Sequence, residues 1–116
     1  MKSGAHRERM PNKRQSSVHS YSIEGYEVVV TLGKYPDGDI GEVFIDLGKE
    51  GSDVAGWANS FAIALSLGLQ HGIPADKFCH TFKDLKFGHK GYTEIGNVTS
   101  VPDLVMKAIE REVACG

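Results

Sequence analysis

The sequence is poor in cysteine: Cys79 and Cys115 are the only two in 116 residues. Two thiols cannot build a disulfide framework, which excludes a disulfide-stapled secreted scaffold and leads us to expect a reducing, cytoplasmic setting. Long apolar runs are also missing. None approaches the roughly 18–20 residues that a membrane span requires, so no membrane association is expected. The N-terminal residues carry charge without the apolar core of a signal peptide, and internal repeats and low-complexity tracts are lacking. There is no nucleophile elbow, no carboxylate pair with a clear partner and no second cysteine beside Cys115. No complete catalytic set is therefore expected within this chain. Cys79, His80 and His89 are the residues to weigh as metal ligands. Adjacent residues on a helix point apart, however, and zinc needs three or four convergent donors, so no metal is expected. Cys79 reads instead as a small buried residue, and the histidines as surface groups.

What is present is the composition of an ordinary globular protein, 41% apolar and 24% charged, at a length suited to one domain with a modest core. Charge is unevenly spread. Lys2, Arg7, Arg9, Lys13 and Arg14 face only Glu8 in the first 14 residues, a balance of +4, which leaves −6 on the remainder given a net charge of −2. A basic arm, residues 1–16, precedes an acidic body, residues 17–116. The arm is expected to be flexible, although clustered cations also suit nucleic acid, phosphate or an acidic partner.

Periodicity sets out the body. His19, Tyr21 and Ile23 alternate with serines, the period of a half-buried strand, and Glu24-Gly25 reads as a two-residue hairpin turn. Tyr26, Val28, Val30 and Leu32 share one face of a second strand, with Val29 suggesting partial cover on the other. Tyr35-Pro36-Asp37-Gly38 is a turn in which Pro presets φ and Asp-Gly closes the reversal. Val43, Ile45 and Leu47 point inward from a third strand. The expected fold class is α+β: a three-stranded antiparallel meander packed on a long central helix, with a short helix and a C-terminal helix. The long helix opens at Lys49-Glu50-Gly51-Ser52, runs to about residue 71 and carries Val54, Trp57, Phe61, Leu65 and Leu69 as one stripe. Ile63 and Leu67 lie off that stripe, so the helix needs cover on more than one side. A homodimer or higher oligomer would supply it, as would the C-terminal helix of the same chain. Trp57 belongs to the core or to an interface. Gly72 and Pro74 end the helix, and Phe78 and Phe82 mark a short second one over 75–82. Residues 83–97 read as irregular. Ser100-Val101-Pro102-Asp103 is a helix start: Ser caps, Pro suits the first turn, and Asp complements the dipole and completes a capping box. Leu104, Val105, Ala108, Ile109 and Val113 form the apolar face that follows.

Two features suggest a ligand. Free N–H groups at a helix start favour an anion. Lys49 would add charge, Gly51 would allow close approach, and Ser52 is either a contact or simply the cap. Lys86, His89 and Lys90, within a cluster that also holds Lys83, would reach a phosphate from the Lys- and Gly-rich loop, and Arg14 from the arm would close over it. These seven residues are the candidate nucleotide-binding set.

The motifs Ser22-Ile23-Glu24-Gly25-Tyr26-Glu27, Gly33-Lys34-Tyr35-Pro36-Asp37-Gly38, Gly41-Glu42-Val43-Phe44-Ile45 and Lys49-Glu50-Gly51-Ser52 recur in order. So do the run from Phe61 to Pro74 and the arm from Arg7 to Arg14. Together they resemble the C-terminal domain of adenosylcobalamin-dependent (class II) ribonucleotide reductases, over roughly residues 7–110. That domain type is named for a Thr-Ser-Cys-Pro-Asp motif, matched here by Thr99-Ser100-Val101-Pro102-Asp103. Val101 stands in place of the cysteine, so no thiol or zinc role carries over to it. The resemblance implies a non-catalytic accessory or detached domain in deoxyribonucleotide synthesis, a reductase catalytic subunit as partner, and adenosylcobalamin only through that subunit. The alternatives are a stand-alone nucleotide binder, regulating or sequestering a signalling nucleotide at an oligomer interface, and a nucleic-acid binder acting through the arm.

Overall fold

The computed structural model describes residues 6–48 and 51–114. Its elements, in order, are β1 (Ser16–Ile23), β2 (Tyr26–Lys34), β3 (Ile40–Asp46), α1 (Ser52–Gln70), α2 (Ala75–Phe82), β4 (Gly91–Thr93), β5 (Gly96–Val98) and α3 (Val101–Ala114). Strands β1, β2 and β3 form the expected antiparallel meander. Glu24 and Gly25 both take positive φ, 51° and 82°, the backbone of a turn whose twist matches the flanking strands. The register sets Tyr21 opposite Val28, His19 opposite Val30, and Leu32 opposite both Ser17 and Val43. One sheet face therefore gathers Tyr21, Ile23, Val28, Val30, Leu32 and Val43, all buried. Leu65 and Leu69 of α1, Cys79 of α2 and Leu104, Val105, Met106, Ala108 and Ile109 of α3 complete the core. Phe61 meets the edge of Phe82 with ring centroids 5.1 Å apart, as the α2 pattern required.

Helix α1 runs along the outer edge of β3. The Val43 N–H donates to Ser66 Oγ at 2.9 Å, and the hydroxyl donates back into its own helix at Ala62 O, 2.8 Å away, with Val43 O at 3.2 Å. Gln70, only 3% exposed, donates from Nε2 to Gly41 O at 2.9 Å. Backbone groups at a sheet edge that would otherwise stay unpaired are thus satisfied by helix side chains. Gly72 lies just past the helix with φ 98°. The N–H of Gly72 bonds Leu69 O at 3.1 Å and that of Ile73 bonds Gly68 O at 3.0 Å, the paired bonds of a glycine-terminated helix.

Three differences from the sequence reading stand out. Within 83–97, β4 and β5 form a small hairpin, closed by Thr93 Oγ1 donating to Gly96 O at 2.9 Å. Strands of three residues are too short for alternation to register. Val54 and Trp57 are exposed rather than in the core, and Trp57 is 78% accessible. Finally, the described part of the arm is held on the body. Glu8 N–H bonds Gln70 O at 2.8 Å, Arg7 Nε bonds Gln70 Oε1 at 2.6 Å, Lys34 N–H bonds Gln15 O at 2.9 Å, and Tyr35 OH bonds Glu8 O. Met10 and Tyr35 close over Gly41, where a Cβ would come within 2.5 Å of Met10 Sδ and 2.4 Å of the Tyr35 ring. Only glycine allows the arm to lie this close.

Candidate functional site

The best-built polar constellation surrounds the start of α3. Ser100 precedes the helix, and its Oγ accepts the Asp103 N–H at 3.1 Å. The Asp103 carboxylate does not return to Ser100. It accepts Thr99 N–H at 2.9 Å and, across the fold, Asp84 N–H at 2.7 Å, while Lys107 Nζ donates to it from the next turn at 2.9 Å. Thr99 Oγ1 donates to Leu85 O at 2.7 Å, and Thr99 O receives Phe87 N–H at 3.1 Å. Asp103 is fully buried. Burial pushes its pKa up, but hydrogen bonds from Lys107, Asp84 and Thr99 outweigh it, so the carboxyl titrates below its ordinary value. The loop leaving α2 is thereby pinned to the helix that follows it. Val101 is half-buried against the core.

A second network joins three distant segments. Glu112 accepts Lys34 Nζ at 2.6 Å and pairs with His19 Nε2 at 2.8 Å, and His19 Nδ1 lies 3.1 Å from Tyr21 OH. The bonds from Lys34 and then His19 lower the Glu112 pKa from 4.5 to about 2. The Cys79 thiol sits 3.6 Å from Met106 O, and burial raises its pKa to about 11, which leaves it a poor nucleophile near neutrality. Among the described residues, no group of three His, Cys, Asp or Glu side chains converges to hold a metal ion, and no helix is long and apolar enough to cross a membrane.

The TSCPD domain model matches residues 4–113. The chain belongs to the TSCPD domain family. Relatives of this TSCPD domain include the vitamin B12-dependent ribonucleotide reductase of Agrobacterium fabrum, 39% identical over 107 residues, covering 89% of this chain but 8% of that protein. The reductase of the same name from Rhodopirellula baltica is 40% identical over 104 residues, covering 87% and 10%. That of Streptomyces clavuligerus is 34% identical over 105 residues, covering 90% and 11%. The TSCPD domain thus spans between 8% and 11% of the length of these curated relatives. No solved structure matches it.

The structure distributes the seven candidate ligand residues over the TSCPD domain. Lys49 lies outside the described residues. Gly51 is the N-cap of α1 and makes no side-chain cap; Ser52 is the first helical residue rather than the cap. His89 Nδ1 lies 3.1 Å from Glu24 Oε1 and its ring packs on Tyr26 at 4.4 Å, so it is half-buried against the hairpin rather than a plain surface group. The Lys90 N–H donates to the same Glu24 oxygen at 3.2 Å. Lys86 is exposed in the loop between α2 and β4. Gly48 approaches Glu27, so the strand leading to α1 ends at the same end of the sheet as the hairpin that holds His89 and Lys90. Arg14 sits at the other end. It donates to both Glu42 carboxylate oxygens at 2.6 and 3.0 Å and to Pro11 O at 2.7 Å. The eight residues of β1 separate it from Glu24, roughly 26 Å of extended chain.

Sequence reading missed Gln70, Glu112 and the long-range half of the Asp103 clamp. A polar residue beside Leu69 on a buried helix face was the available signal for Gln70. Nothing local signals Glu112, whose partners are 78 and 93 residues away. Two grooves of about 700 Å³ flank α2. One is lined by Cys79, His80, Lys83, Ile109, Glu110 and neighbours, the other by Glu8, Asp37, Asp39, Asp76 and Ile73 among others. Neither contains a residue of the candidate set.

Proposed function

We propose that this TSCPD domain is a non-catalytic accessory to vitamin B12-dependent ribonucleotide reduction, acting in the cytoplasm by docking to a reductase catalytic subunit. The observation that carries this reading is how the motif's polar residues are used. Thr99, Ser100 and Asp103 are engaged in pinning the α2–β4 loop to α3, so the motif serves architecture rather than turnover. The described thiol is buried and its pKa raised. The relatives carry the same segment as a small fraction of a protein named for the reaction. Adenosylcobalamin belongs, on this reading, to the reductase remainder.

The test is calorimetric titration of the purified domain into a B12-dependent reductase from which the matching segment has been deleted. Saturable binding, with reductase activity or stability altered by the added domain, is the expected result. No binding to the deleted enzyme overturns the docking reading.

One observation favours nucleotide binding as a second reading. The start of α1 has no side-chain cap, a helix N-terminus favours an anion, and His89 and Lys90 belong to the same end of the sheet. A nucleotide at 100 times its dissociation constant would stabilise the fold by about 2.7 kcal/mol. The melting temperature should then rise with added nucleotide, and Lys49→Ala should weaken binding several-fold. Indifference to ribonucleotides, deoxyribonucleotides and cyclic nucleotides alike removes this reading. The arm is a weaker basis for nucleic-acid binding, since Arg7 and Arg14 are directed at Gln70 and Glu42.

A further inference from the structure

Helix α1 is charged at one position only, Asp53, across its 19 residues. Its first six residues, Ser52 to Trp57, are all exposed, so the leading turn and a half adds no side chain to the core. Isolated helical turns are marginal in water, and a tryptophan 78% accessible at such a site calls for cover. The outward positions follow a strict spacing: Asp53, Trp57, Ser60, Ala64 and Leu67, separated by four, three, four and three residues, and the half-buried His71 continues it four residues on. That is the 3.5-residue seam along which two helices pair. Ile63, 53% exposed, flanks it.

The seam is complementary to itself when reversed. Placed antiparallel about a two-fold axis at residue 62, Asp53 falls opposite His71, Trp57 opposite Leu67, and Ser60 opposite Ala64. The largest apolar residue meets an apolar one, and the two small residues meet at the centre, where the backbones must approach. The helix dipoles then also run head to tail. We propose that the outer face of α1 is a two-fold interface between two copies of this chain, paired antiparallel in that register. From Trp57 to Leu67 the seam carries no charge and offers a partner of different sequence nothing to recognise by sign, whereas its apolar and small residues find their complements in a second copy. This inference does not depend on the reductase reading.

Sedimentation velocity of the purified chain across micromolar concentrations tests it, with circular dichroism confirming the fold of each variant. The wild type should sediment at twice 12.6 kDa, and Ser60→Glu at the monomer mass, since an unpaired carboxylate would be buried twice at the centre. The double variant Ser60→Glu with Ala64→Lys should return to the dimer, because the carboxylate introduced at position 60 of each copy then faces the ammonium introduced at position 64 of the other. A monomeric wild type overturns the proposal and hands the face to a different protein. A dimer that survives Ser60→Glu overturns the assignment to α1. Failure of the charge pair to restore a dimer lost in the single variant overturns the register.

Discussion

At the scale of single residues, Asp103 carries the most. Replacing it with alanine leaves two backbone donors, Asp84 N–H and Thr99 N–H, without an acceptor and leaves Lys107 with Asn97 O and Asp84 alone. Loss of a buried, hydrogen-bonded carboxylate costs on the order of 3–5 kcal/mol. Asp103→Ala should therefore lower the urea midpoint sharply, whereas Val101→Cys, at a half-buried position that accepts either residue by size, should change stability by less than about 1 kcal/mol. Glu112 makes the pH prediction. Its folded pKa lies near 2 against an ordinary 4.5, so its stabilising contribution is complete above pH 4.5 and disappears as pH falls toward 2. Because solvent reaches the pair, the contribution is discounted to about 1 kcal/mol. Glu112→Gln should lose that amount at pH 7 and flatten the decline in melting temperature between pH 4.5 and 2. Of these two residues, the sequence disclosed half of one. The local bond between Ser100 and Asp103 follows from a three-residue spacing, but the reach to Asp84 and the meeting of Glu112 with Lys34 and His19 depend on how the chain folds back, which no window of neighbouring residues encodes.

At the scale of elements, the glycine that terminates α1 is the sharpest test. Gly72 holds a φ of 98°, a conformation that costs an L side chain about 1 kcal/mol or more. Gly72→Ala should lower stability by roughly that much and loosen the last turn, read as faster amide exchange at Ile73. The meander was legible because each strand alternates over seven or more residues between two punctuated turns. The end of α1 was legible from Gly72, the start of α3 from Ser100, and α2 from Phe78 and Phe82. The β4–β5 hairpin was not, since its pairing is set by Thr93 and Gly96 rather than by any apolar pattern. Trp57, at the exposed end of the α1 stripe, was read as core or interface because helical spacing records which residues share a face, not what lies against it.

At the scale of the whole molecule, Gln70 holds three separate segments together: the end of α1, the start of β3 at Gly41, and the arm at Arg7 and Glu8. Gln70→Ala should destabilise the fold by about 2 kcal/mol. It should also release the arm first, so that trypsin cleaves after Arg9 and Lys13 well before global unfolding. Unchanged cleavage would mean that Met10 packing on Tyr35 suffices to hold the arm. The position of α1 beside β3 has a different consequence. A sheet grows, or is recruited into another chain's sheet, through the unpaired backbone of its outermost strands. Here Ser66 and Gln70 occupy those groups on β3, so strand addition on that side would first require lifting a 19-residue helix away. Growth of the sheet is left to β1, whose Ile23 end already lies against Gly91 of β4. On the β3 side, then, the sheet is closed to the fibre-forming pairings that exposed strands invite.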